Sequence, residues 1–164
     1  MTTSPVDIVD QQILLNLGRV SANFNALEFE MGLFISDLVN IKDRQVGFMI
    51  ACELRYTAKI AIVMALYEYK VADLERVEKL REHLKLISAL EDERNKYMHS
   101  SVHIFANGKT KSMKPSTKLK KGFDFTPTEI KPEELELFSE KALSYKHLLK
   151  LMRIDYFKNL CVRS

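Results

Sequence analysis

The residues best suited to chemistry lie together in the middle of the chain, where Arg94, Asn95 and His99 fall within six positions. Histidine titrates near neutral pH and suits proton transfer. Arginine stays charged, and its planar guanidinium can hold two phosphate oxygens. Asn95 precedes His99 by four residues, which places both on one helix face and allows the amide to orient the ring or contact a ribose. This combination suits chemistry at a phosphate.

Arg94 also interrupts a pattern. Upstream, apolar residues recur at helical spacing and form a stripe at Val77, Leu80, Leu84 and Ile87. Glu91 and Arg94 occupy the next places on that stripe. A buried guanidinium is costly unless it has a partner, a wet cavity or a ligand. One interpretation is structural: Arg94 pairs with Glu91 or Glu53, and His99 caps the helix C-terminus. The other interpretation is a functional site.

The segment Arg94-Asn95-Lys96-Tyr97-Met98-His99 resembles the Arg-(four to six residues)-His motif of HEPN domains, with a polar residue directly after the arginine. The resemblance implies a helical bundle working as a homodimer. It implies metal-independent cleavage of RNA to a 2′,3′-cyclic phosphate and a 5′-hydroxyl, as in a defence or stress toxin. Arg94 and His99 lie about 140° apart around a helix, so a second chain would have to complete a composite site.

One position departs from the family. Some HEPN toxins carry a tyrosine two residues after the histidine, where this chain has Ser101. In those toxins a partner nucleotidyltransferase modifies the tyrosine, so Ser101 argues against a toxin–antitoxin pair of that kind. The sequence identifies no antitoxin or other regulatory partner. Two alternatives to a nuclease stay open, a non-catalytic helical dimerisation or interaction module and a nucleotide-binding regulator that uses the same cleft.

Composition limits the class of protein. The 164 residues predict a single domain, residues 1–164, and the net charge of +3 permits an anionic partner. Cys52 and Cys161 are isolated, which favours a reduced, cytoplasmic protein. We expect no signal peptide and no membrane association, because the longest apolar run is too short to cross a bilayer.

Few glycines and prolines favour long helices. We predict helices at about 6–39, 44–69, 74–99 and 132–160, each with an apolar face, and Asp73 as the N-cap of the third helix. The predicted fold is all-α, a four-helix up-and-down bundle with a small β-hairpin or ordered loop between the third and fourth helices.

The predicted second helix is apolar on most faces, so it lies at the centre of the bundle or at an interface. Glu53, Arg55 and Lys59 are its polar insertions. One interpretation is that they reach solvent along apolar surface; the alternative is that Glu53 or Lys59 faces the cavity at Arg94.

The insertion spans about residues 102–127. Asn107-Gly108 predicts a turn, with a returning arm at 119–126. The insertion carries lysines without an acid from Ile104 to Phe123, which suits either a solvated loop or an RNA-phosphate contact, at Lys109, Lys111, Lys114, Lys118, Lys120 and Lys121.

Other chemistry has no motif here. A phosphate-binding P-loop, a dinucleotide fingerprint and an HExxH zinc motif are absent from the sequence. His99 and His103 have the spacing of a metal pair, but the helix is predicted to end between them and no third ligand is near. We therefore expect no metal and no cofactor.

Overall fold

The computed structural model describes residues 5–39, 42–104, 109–113, 116–118, 122–124 and 127–161, and their side chains at 11–39, 42–103, 109–111 and 127–158. These residues are mostly helical. They form five helices, α1 (Pro5–Val39), α2 (Arg44–Cys52), α3 (Tyr56–Lys70), α4 (Leu74–Met98) and α5 (Pro132–Cys161). They also form five short strands, β1 (Ser101–Ile104), β2 (Thr110–Met113), β3 (Ser116–Lys118), β4 (Gly122–Asp124) and β5 (Thr128–Glu129).

Helix α1 forms the centre of the fold and packs against the other four helices. Its apolar residues at helical spacing are fully buried, among them Leu27, Met31 and Phe34. Removing this stripe from water is the main contribution to stability. The buried face of this helix includes Ile13, whereas the neighbouring Leu14 is 63% exposed.

The predicted second helix is two helices, α2 and α3, separated at Glu53, Leu54 and Arg55. The Glu53 amide donates to the Ile50 carbonyl at 3.2 Å and the Leu54 amide donates to the Ala51 carbonyl at 3.3 Å, which closes α2. Arg55 precedes α3 in an extended conformation. Packing overrides helical propensity here, because the break lets both helices lie against α1. Helix α2 is not central: Met49 is 61% exposed.

Predictions for the other long helices are confirmed. Asp73 caps α4, its carboxylate accepting from the Glu75 and Arg76 amides at 3.1 and 3.2 Å. Helix α5 begins at Pro132, as predicted. Its start is tied to α1, because the Asn16 side-chain amide donates to the Pro132 carbonyl at 3.0 Å.

The insertion pairs differently from the prediction. β1 pairs with β2, where Ser101 opposes Met113, and β2 also pairs with β5, giving a three-stranded antiparallel sheet. β3 and β4 form a separate hairpin, so the predicted pairing of 101–106 with 119–126 is wrong. The Asn107-Gly108 turn lies outside the described residues. Ile130 belongs to the buried apolar core and Val102 packs against it, so the sheet lies on the helices.

Within the described part of the chain, every helix is too short or too polar to span a membrane.

Candidate functional site

Arg94 lies near the end of α4 with its guanidinium against an aromatic pair. Its Cζ is 5.1 Å from the centre of the Phe24 ring on α1, a cation–π contact. Phe24 in turn stacks on Tyr56 from α3, with ring centroids 4.8 Å apart. Three helices therefore position Arg94, and its side chain stays partly accessible.

The pKa of the Tyr56 hydroxyl depends on the charged groups around Arg94. Its hydroxyl donates to the Ile87 carbonyl at 3.0 Å. Burial raises the pKa of the Tyr56 hydroxyl, the Glu91 and Glu28 carboxylates raise it further, and the Arg94 guanidinium lowers it. The phenol therefore remains protonated, and Glu91, Glu28 and Arg94 all lie within electrostatic reach of one buried group.

Asn95 and His99 are placed differently from one another. The Arg94 Nη1 atom donates to Asn95 Oδ1 at 3.2 Å, so in this chain Asn95 orients the guanidinium. His99 is the C-terminal cap residue of α4 and its side chain is exposed. The next residue, Ser100, closes the helix by donating to the Lys96 and Tyr97 carbonyls at 2.8 and 2.9 Å. One chain brings Arg94 and Asn95 together, and His99 faces solvent.

The structural interpretation of Arg94 required an ion pair with Glu91 or Glu53. Among the described residues, no ion pair within 4.0 Å joins Arg94 to Glu91, to Glu53 or to any other carboxylate. Glu53 is exposed at the end of α2. One N–H group of Arg94 is used by Asn95, and the guanidinium keeps other N–H groups to donate.

Lys59 does not reach solvent, contrary to one of the two predictions for it. It is 7% exposed, and its Nζ lies 2.5 Å from Glu28 Oε1. Glu28 follows Phe24 by one helical turn, so this ion pair lies beside the aromatic pair that supports Arg94. Arg55, in contrast, is exposed, as the solvated interpretation predicts.

The predicted lysine surface is only partly described. Lys109 lies 3.0 Å from Glu129 Oε2, and Lys111 opposes Glu129 in the β2–β5 register. Glu129 therefore brings a negative charge to a segment that lacks acids in sequence, which weakens the expected attraction for phosphate. Lys114, Lys120 and Lys121 lie outside the described residues, and Lys118 is described only as part of β3.

The structure contains a buried charge network that the sequence did not predict. Arg153 on α5 contacts Glu30 at 2.6 Å and Asp37 at 2.8 Å, and Asp37 also contacts Arg44 at 2.7 Å. Burial lowers the pKa of Arg153, but bonds to Asp37 and Glu30 outweigh it and leave that pKa raised. The sequence does carry a signal for this network, the same one that marks Arg94. Glu30, Asp37 and Arg153 are each a charged residue on an apolar helical stripe.

Comparisons with protein-family models, with curated proteins and with solved structures give no match to this chain. The described residues contain no cluster of three His, Cys, Asp or Glu side chains that would hold a metal ion.

Proposed function

We propose that this protein is a metal-independent endoribonuclease of the HEPN type, a four-helix bundle in which α2 and α3 represent one interrupted helix. It acts as a cytoplasmic homodimer on RNA. The observation that carries the proposal is the state of Arg94. Its guanidinium rests on Phe24 and Asn95, and within the described residues it has no carboxylate partner, so it retains donors for a phosphate.

The proposed reaction assigns one role to each residue. His99 takes the proton from the ribose 2′-hydroxyl, and the 2′-oxygen attacks phosphorus. The bond from phosphorus to the 5′-oxygen breaks, and that oxygen takes a proton from water. Arg94 stabilises the negative charge on the pentavalent phosphate. The products are a 2′,3′-cyclic phosphate and a 5′-hydroxyl.

A second chain supplies the missing geometry in this proposal. Arg94 packs inward on α1 and His99 is exposed, so the two side chains of one protomer face different surroundings. A two-fold axis would place His99 of one protomer near Arg94 of its partner. The exposed apolar residues of α2, Val46, Met49 and Ile50, favour an interface on this protein.

That apolar face also supports a second candidate function, a helical dimerisation module without catalysis. In that case Arg94 serves only to support the packing of Phe24. The two candidates differ in whether the protein cleaves RNA.

The test is RNA cleavage by the purified protein in the presence of EDTA. We expect cleavage by the wild type and a loss on the order of a hundredfold or more in Arg94→Ala and in His99→Ala. The 5′ product should carry a cyclic phosphate. The matched control is His103→Ala, because His103 is also an exposed histidine, on β1, and is not placed in the site. This variant should cleave like the wild type.

Stability separates catalysis from packing. His99→Ala should leave the melting temperature unchanged, since the side chain is exposed at a helix end. Arg94→Ala should cost about 0.5–1 kcal/mol from the lost cation–π contact. Wild-type cleavage by both variants would exclude Arg94 and His99 as the catalytic residues. A folded wild type without activity would favour the dimerisation module instead.

A further inference from the structure

A pocket of about 240 Å³ lies between α1, α2 and the first turn of α3. Phe29 and Phe48 form its aromatic walls, with ring centroids 5.1 Å apart and planes at 64°. Ligand pockets in proteins commonly measure roughly 300–1,000 Å³, so this one suits a single ring system.

Gly32 shapes this pocket. A Cβ atom at this position would meet Cε2 of Phe48 at 3.2 Å, closer than most real contacts of that kind. The absence of a side chain lets the Phe48 ring lie directly on α1. A larger residue at position 32 would displace one wall of the pocket.

The polar lining of the pocket is neutral overall. Lys59 and Glu28 neutralise each other at 2.5 Å, and Asn25 offers both a donor and an acceptor. Lys59 uses Glu28 Oε1, while the second carboxylate oxygen remains an acceptor site. A neutral flat ring with hydrogen-bonding groups on its edge fits this lining better than a phosphate or another ion.

The pocket adjoins the candidate catalytic arginine. Glu28, which lines the pocket, lies one helical turn after Phe24 on α1, and the Arg94 guanidinium lies over the Phe24 ring. A group bound in the pocket and a phosphate bound by Arg94 would therefore be neighbours along α1.

We propose that this pocket binds one unstacked base of the RNA, next to the phosphate held by Arg94. Unstacked bases are recognised by aromatic side chains together with hydrogen bonds on the base edge. Each carboxylate oxygen of Glu28 has two lone pairs, so Oε1 and Oε2 can together accept from the two adjacent N–H groups of guanine, whereas uracil presents one N–H group. This inference rests on the proposed action on RNA, and it adds the base class to it.

The test is calorimetric titration of the whole chain with guanosine 5′-monophosphate, uridine 5′-monophosphate and ribose 5-phosphate. We expect the guanosine nucleotide to bind and the uridine nucleotide to bind at least severalfold more weakly. Ribose 5-phosphate, which keeps only the phosphate contact, should bind more weakly than either. Absence of guanosine nucleotide binding would overturn the proposal. Equal affinity for all three compounds would do the same, because the base would then contribute nothing.

Variants locate the binding. Phe29→Ala should weaken guanosine nucleotide binding roughly tenfold or more, as expected for a lost stacking partner. Gly32→Ala should weaken it by displacing Phe48. The control is Leu15→Ala, because Leu15 is an exposed apolar residue on the same helix, 56% exposed against 55% for Phe29. If Phe29→Ala fails to fold by circular dichroism, the exposed Asn25→Ala takes its place. Unchanged affinity in the folded pocket variants overturns the proposal.

Binding of a mononucleotide requires no cleavage, so the two proposals fail separately. Guanosine nucleotide binding that depends on Phe29, in a protein without ribonuclease activity, would keep the pocket and remove the nuclease. Cleavage of RNA together with unaltered nucleotide binding in Phe29→Ala would keep the nuclease and remove the base site.

Discussion

The buried Arg153 network is where a single side chain should matter most for stability. Arg153→Met would leave Glu30, which is 6% exposed, without a partner and Asp37, which is fully buried, with Arg44 alone. Breaking a buried pair in this way costs about 3–5 kcal/mol, because a desolvated charge is left uncompensated. Urea unfolding monitored by circular dichroism measures the change in the free energy of unfolding.

The control for that variant is Arg19→Met, which makes the same chemical change at an exposed pair. Arg19 and Glu136 lie 4.0 Å apart with side chains 54% and 53% exposed, so the loss should stay within about 1 kcal/mol. Equal losses in the two variants would contradict a special role for burial at Arg153.

For single residues, the sequence was sufficient to identify Arg94 as a candidate but not to predict which side chains surround it. The spacing of Arg94 marked it as a charge on an apolar stripe, and it does pack inward on α1. Its neighbours Phe24 and Tyr56 come from distant parts of the chain, and spacing within one helix carries no information about them. For the same reason the partners of Arg153, 116 and 123 positions away, were not predictable.

Helix packing constrains Gly47 more tightly than Gly18 or Gly32. A Cβ atom there would lie 2.7 Å from the Ser36 backbone Cα and 3.0 Å from its carbonyl oxygen, so neither helix can yield by a side-chain rotation alone. Gly47→Ala should separate α2 from α1 and destabilise the protein by about 1–3 kcal/mol, as overpacked cores are. Thermal unfolding followed by circular dichroism tests this expectation.

Gly18→Ala is the matched substitution in α1. A Cβ atom at position 18 meets nothing within 4 Å, and alanine is a better helix former than glycine by roughly 0.5–1 kcal/mol. This variant should be stabilised by about that amount. A Gly47→Ala protein that is also stabilised would show that the contact between α1 and α2 relaxes without cost.

The ends of elements were predictable where a local signal exists. Asp73 and Pro132 carry such signals, and α4 and α5 begin next to them. The sequence has no glycine or proline at the break between α2 and α3. The break is a consequence of packing on α1, so no local signal predicts it. The β1–β2 pairing was missed for a related reason: register depends on which face of a strand is buried, and the burial of Thr110 depends on tertiary packing.

For the whole molecule, the proposed site predicts a dimer that exchanges functional groups between its protomers. Static light scattering should give about twice the chain mass of 19.0 kDa for a two-fold dimer. Arg94→Ala and His99→Ala proteins should each be inactive alone, since every composite site in either dimer lacks one residue.

The decisive test mixes the two inactive proteins and allows their subunits to exchange. Random pairing makes half of the dimers mixed, and each mixed dimer holds one site with both residues intact and one with neither, so about a quarter of wild-type cleavage should return. A mixture of Arg94→Ala with the Arg94→Ala/His99→Ala double variant should stay inactive, because no intact site can form. Failure of the first mixture to recover, with mixed dimers confirmed by mass spectrometry of differently labelled chains, would exclude a site shared in this way. Recovery would require an Arg94 and a His99 from different protomers to act on one phosphate, because neither parent supplies both.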